Sequence, residues 1–132
     1  MNLNMSLEFV FVWMLFMHVL DDYRLQGILA SMKQESWWKK QDGYTPFYEW
    51  DYLPALFCHS ISWSFMIMLP LAVYYSFNVN GVFISTFIVN ALWHAVMDNT
   101  KANLKTTNLV IDQLFHLLQI VTTFAFYPLY IG

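Results

Sequence analysis

The stretch that decides the fold runs from Tyr52 to Met97 and reads YLPALFCHSISWSFMIMLPLAVYYSFNVNGVFISTFIVNALWHAVM. It contains no Asp, Glu, Lys or Arg. A helix needs about 20 apolar residues to cross the hydrocarbon of a bilayer. The run is too long for one crossing and long enough for two. Its natural break is Ser76 to Gly81, where Asn78, Asn80 and Gly81 supply turn chemistry. The pattern therefore predicts helices at about 52–76 and 81–100. Pro54 falls in the first turn of its helix, where the missing N–H costs nothing.

Working outward, Gln113 to Gly132 is a second run without formal charge, and it predicts a helix at about 106–130. At the other end, Leu7 to Leu20 is apolar apart from Glu8 and His18, which predicts a helix at about 5–30. That segment reads as a span rather than a cleaved leader, because no basic residue precedes it and Asp21-Asp22 follows. The expected fold is all-α: one integral membrane domain over 1–132, a four-transmembrane-helix antiparallel bundle. A long aromatic-rich loop of about 31–51 joins the first two helices.

Composition points the same way. Only 11% of the 132 residues are charged and mean hydropathy is +0.44, whereas soluble domains carry about a quarter charged residues. Soluble, disordered and collagenous classes are disfavoured. A net charge of −3 with six Lys and Arg argues against a nucleic-acid partner. A single cysteine excludes an intrachain disulfide framework and a zinc finger.

The six basic residues are Arg24, Lys33, Lys39, Lys40, Lys101 and Lys105. With four spans, all fall on the same side, and the positive-inside rule places that side in the cytoplasm and both termini outside. The loop residues Trp37, Trp38, Tyr44, Phe47, Tyr48 and Trp50 read as an interfacial belt, or alternatively as a lid.

Each predicted helix holds one histidine: His18, His59, His94 and His116. Ionisable residues inside membrane helices are costly and rarely face lipid. His18 and Asp22, His94 and Asp98, and Asp112 and His116 are each four apart, hence on one helical face. Asn90 and Lys101 extend the stripe on the third helix. All seven His and Asp side chains fall toward the basic-loop ends, so an up-down bundle gathers them at one height in a cup open to the cytoplasm. Imidazole and carboxylate suit a divalent metal, with zinc favoured, manganese or iron as alternatives, and one or two ions. Such ligands projecting inward from facing helices are how soluble bundles hold two metals. Gln26, Asn90 and Gln113 are expected to support the ligands rather than join them. Cys58, about 100° around the helix from His59, is expected to be a buried, inert thiol.

The blocks His18-Val-Leu-Asp-Asp22-Tyr-Arg-Leu-Gln26, Cys58-His59, His94-Ala-Val-Met-Asp98-Asn-Thr-Lys101 and Asp112-Gln113-Leu-Phe-His116 resemble the motifs of the DUF3307 family, small bacterial and phage membrane proteins without an assigned function. The resemblance implies a multi-pass protein of the bacterial inner membrane, and it supports these site residues without supplying a reaction. Asp21 stands where that pattern has Ala. Asp22, which shares a face with His18, is the aspartate expected to act.

The leading expectation is a metal-dependent hydrolase. Asp22 or Asp98 would act as general base, and Lys101 or Arg24 would neutralise an anionic group of a lipid or small substrate. The alternatives are a proton- or ion-coupled transporter and a non-enzymatic phage or bacterial factor that binds a host membrane protein. Homo-oligomerisation through aromatic faces is compatible with each.

Overall fold

The computed structural model describes residues 5–130. Among them are six α-helices and no strand: α1 (Leu7–Leu20), α2 (Leu29–Met32), α3 (Glu35–Trp38), α4 (Tyr52–Tyr74), α5 (Gly81–Ala102) and α6 (Leu109–Ala125). The all-α expectation holds. Two segments, Pro46–Tyr74 and Gly81–Ala102, are long and apolar enough to cross a membrane, and Leu109–Ala125 is apolar but shorter.

Helix ends follow local chemistry. Ser6, Asn80 and Asn108 each turn a side-chain oxygen back to a free backbone N–H, of Phe9, Phe83 and Ile111 respectively. The break after α4 comes where the sequence placed it. Ser76 and Phe77 adopt positive φ (53° and 61°), and the Phe77 N–H returns to the carbonyl of Ala72 at 2.7 Å.

The first helix differs from expectation. The α-helix stops at Leu20 and continues as one wide π turn, Asp21–Leu25, closed by the Gln26 N–H on the Asp21 carbonyl. Gly27, at φ +51°, then breaks the direction, so a single helix over 5–30 does not form.

α4 is the central helix, packing on α1 and α5, with α6 against α5. The interior has two layers. In the half away from the basic loops, Val10, Met14, Ile67, Leu71, Phe83, Ile120 and Tyr130 form an apolar core. The Tyr75 hydroxyl donates to the Tyr127 carbonyl beside that core. The other half is filled by His, Asp, Ser and Lys. The outer surface is apolar: Phe9, Phe16, Phe65, Ile88, Leu92, Leu114 and Leu118 are each at least half exposed. A half-polar interior beneath an apolar outer surface departs from the water-soluble pattern.

Candidate metal centre

Four helices contribute to the polar layer. α1 and its π turn supply His18, Asp21 and Asp22. α4 supplies His59, α5 supplies His94 and Asp98, and α6 supplies Asp112 and His116. All seven residues expected from the sequence converge. His59, His94, His116 and Asp112 are fully buried, and Asp98 is 1% exposed.

The distances carry the chemistry. His59 Nε2 lies 3.2 Å from His94 Nε2, 3.4 Å from Asp22 Oδ1 and 3.3 Å from Asp98 Oδ2. His116 Nε2 lies 3.4 Å from both Asp98 Oδ1 and Asp112 Oδ1. Charge-assisted N–H···O bonds run at about 2.7–2.9 Å, so the 3.3–3.4 Å imidazole–carboxylate contacts are loose for hydrogen bonds, while the Nε2 atoms of His59 and His94 stand within hydrogen-bond reach of each other. These separations match the spacing of ligand atoms around an ion: metal–ligand bonds of about 2.0–2.1 Å in a tetrahedron put neighbouring ligand atoms about 3.3–3.4 Å apart. Two triads, Asp22–His59–His94 and His94–Asp98–His116, can each hold a metal ion. Asp98 turns one oxygen toward each half of the group.

Two further observations test that fit. Among the described residues, His59 Nδ1, His94 Nδ1, Asp112 Oδ1 and both ring nitrogens of His116 are buried without a hydrogen-bond partner, a situation native interiors avoid. The charges are also unbalanced. Four aspartates, Asp21, Asp22, Asp98 and Asp112, face two lysines, Lys33 and Lys101. With neutral imidazoles the formal charge is −2, the deficit one divalent ion removes.

The surroundings hold the group in place. Gln113 contacts His18 Nε2 at 3.0 Å through its carbonyl oxygen and donates to Asp22 Oδ2 at 3.2 Å and Asp112 Oδ2 at 3.2 Å, as a supporting residue should. Two other expected supports do not reach the imidazoles. Gln26 bonds the backbone carbonyl of Asp22 and so secures the π turn. Asn90 lies one turn below His94 and bonds Thr123 Oγ1 at 2.8 Å and Gln119. Lys101 pairs with Asp112. Arg24 is exposed. Cys58 is exposed as well, contrary to expectation, because the 100° step from His59 carries it to the outer face of α4.

Residues that the sequence reading passed over prove central. Trp63 stacks on His94, with ring centroids 4.2 Å apart at 19°, and donates its indole N–H to His18 Nδ1 at 2.9 Å. Its position one turn from His59 on a helix already holding an inward histidine was the available signal. Ser62 donates to Asp21 Oδ1 at 2.7 Å, and Asp21 Oδ2 lies 3.7 Å from His59 Nδ1. Both adjacent aspartates thus serve the site, Asp22 beside the facing nitrogens and Asp21 behind His59.

Lys33 is the largest departure. The sequence offers it only as a loop charge, yet its ammonium is buried on Asp98 Oδ2 at 2.5 Å. Asn103 fastens the strap that carries it, donating to the Lys33 carbonyl at 3.1 Å and accepting from the Glu35 N–H at 2.8 Å. Lys33 and Lys101 close the end that was expected to stand open. The covering element is this α2–α3 strap, whose last two residues, Trp37 and Trp38, begin the aromatic stretch.

No family model, curated protein or solved structure matches the chain.

Proposed function

We propose that the chain is a four-span membrane protein whose His/Asp centre holds one or two divalent metal ions, zinc in the first place and manganese or iron in the second, and that it works as a metal-dependent hydrolase. The observation that carries this reading is the set of 3.2–3.4 Å approaches among buried imidazole and carboxylate atoms, of which His116 Nε2 and Asp112 Oδ1 have no hydrogen-bond partner among the described residues. The outward apolar residues of α1 (Phe9, Val12, Phe16, Val19) and α6 (Val110, Leu114, Leu118, Val121) support two spans besides α4 and α5. α1 with its π turn and α6 are short for a span, which a bilayer accommodates by thinning or by anchoring residues at the helix ends. The six basic residues, by the positive-inside rule, support a site on the cytoplasmic side of a bacterial inner membrane with both termini outside. The four blocks resembling the DUF3307 family agree with that setting.

A bound divalent ion supplies Lewis acidity, lowering the pKa of water and polarising an ester or phosphoester. Asp22, His59, His94, Asp98 and His116 would hold it. A carboxylate oxygen of Asp22 or Asp98 left free of the ion accepts the proton of the attacking water. Lys101, half-buried on Asp112, supplies the positive charge nearest the centre for the anionic group of a lipid or small substrate. Trp63 walls the centre from the apolar core and fixes His18.

A transport path needs the polar network to continue across the bilayer. Below Asn90, Gln119 and Thr123 the interior is Val10, Met14, Ile67, Leu71 and Phe83, which supports a one-sided site instead. The test is elemental analysis of protein purified in detergent without chelator. One or two equivalents of Zn, Mn or Fe are expected, lost in His59→Ala and His94→Ala. Sub-stoichiometric metal that added Zn, Mn or Fe does not restore overturns the reading. Biological activity that survives alanine at His18, His94 and His116 together favours a non-enzymatic membrane factor.

A further inference from the structure

α5 and α6 meet at the stacked rings of His94 and His116 and at the hydrogen bonds of Asn90 with Gln119 and Thr123. Between them lies a slot of about 410 Å³, within the range of about 300–1,000 Å³ usual for ligand pockets. Its lips are apolar and exposed, among them Val82, Val89, Leu118 and Phe126. From Val82 to Trp93 it runs roughly 16 Å by helix rise, close to half of the ~30 Å hydrocarbon core. The upper end is set by Trp93 and Phe115, the neighbours in sequence of His94 and His116. The slot thus ends level with the metal centre, on the outward face of a helix apolar enough to span a membrane.

Its floor is polar. Asn90, Gln119 and Thr123 are all at least nine-tenths buried. The Gln119 amide N–H groups are used on Asn90. Gln119 Oε1 is buried with no hydrogen-bond partner among the described residues. An unpaired carbonyl in an apolar cleft accepts from a donor that an occupant brings. A slot opening into hydrocarbon is filled by hydrocarbon. The free acceptor asks in addition for an O–H or N–H near the end that lies beside Trp93.

We propose that the α5–α6 slot binds the acyl chain of a membrane lipid carrying a hydroxyl or amide donor near its head end, and presents that head end sideways to the metal centre. The second half rests on the metal reading above and names its substrate class. Lateral entry also answers the closure of the basic end by Lys33 and Lys101.

The experiment uses the full chain in phosphatidylcholine vesicles containing one of two photoactivatable probes, an ester-linked phosphatidylcholine or an amide-linked N-acyl lipid, each with a diazirine mid-chain. Labelled positions are mapped by mass spectrometry, and metal content is measured on the same samples. Label is expected on Val89, Leu118 and Phe126 in excess of Ile61 and Ile88, which face outward from α4 and α5. Ser85→Trp, which fills the slot from an exposed position, is expected to remove that excess with metal content unchanged. The amide probe is expected to outcompete the ester probe about fivefold, the worth of one hydrogen bond, and Gln119→Leu to abolish the preference. Even labelling of wild type around all helices, or slot labelling indifferent to Ser85→Trp, overturns the slot. Slot labelling in protein that takes up no metal leaves the lipid site standing and overturns the metal reading alone.

Discussion

Replacing Asp98 by Asn tests how the closed centre is balanced. Asp98 is 1% exposed and receives the Lys33 ammonium at 2.5 Å, with His59, His116 and His94 at 3.3, 3.4 and 3.7 Å. At an effective dielectric of about 20, unit charges at that separation attract by roughly 6–7 kcal/mol. Desolvation of both groups offsets much of this. Removing one partner of such a buried pair, however, leaves the other charge stranded, at a cost of about 3–5 kcal/mol. Asp98→Asn is therefore expected to lower the stability of the metal-free protein by about that amount and to abolish metal uptake. Lys33→Met in the metal-free protein strands the carboxylate and is expected to be similarly costly. In metal-loaded protein the same change is expected to cost little, because the ion takes over the charge of Asp98. The double variant, with neither charge, should recover part of the loss, a coupling of about 1–3 kcal/mol. The assay is unfolding of the detergent-solubilised protein by SDS titration, followed by tryptophan fluorescence, with and without chelator. Strict additivity of the two substitutions, or a cost for Lys33→Met that bound metal does not reduce, refutes the reasoning.

Other consequences can be measured independently. Gln113→Ala, which frees His18 and Asp22 from their shared amide, should weaken metal binding about 10- to 100-fold while far-UV circular dichroism is unchanged. Trp63→Phe keeps most of the ring stacked on His94 but loses the donor to His18, and should cost about 1 kcal/mol. Trp63→Ala should cost about 3–5 kcal/mol, both read by SDS titration. Metal should be released as pH falls through the imidazole range, because histidine ligands must be neutral to bind; equilibrium dialysis across a pH series followed by elemental analysis measures this. With Cys58 replaced by Ser, single cysteines at Lys40 and Lys105 should react with a membrane-impermeant maleimide only from the cytoplasmic face, and one at Asn78 only from the opposite face.

Much of the site was legible because its members repeat at a local period. His18 and Asp22, His94 and Asp98, and Asp112 and His116 each share a helical face by construction, wherever the helix is placed. The end of α4 and the start of α5 were legible for a similar reason: Ser76 to Gly81 carries turn residues, and an Asn caps the next helix. The misplaced supports show the limit of that logic. Asn90 shares the face of His94, yet one turn of helix rise is enough to give it to Thr123 and Gln119 instead. Gln26 is expected to support the ligands, but the π turn changes the angular step per residue and sends its amide to a backbone carbonyl.

By itself, then, the sequence determined that the chain is helical, where its two long apolar helices run, and that seven imidazole and carboxylate groups cluster toward the ends bearing the basic loops. These follow from composition and from spacings within single helices. Only the tertiary structure decided that Trp63 stacks on His94, that both Asp21 and Asp22 serve the centre, and that Lys33 folds back from a loop to close it on Asp98. Those outcomes depend on how helices rotate against one another and on contacts such as Asn103 with Lys33 and Glu35, which join residues about 70 positions apart and leave no periodic trace in the chain.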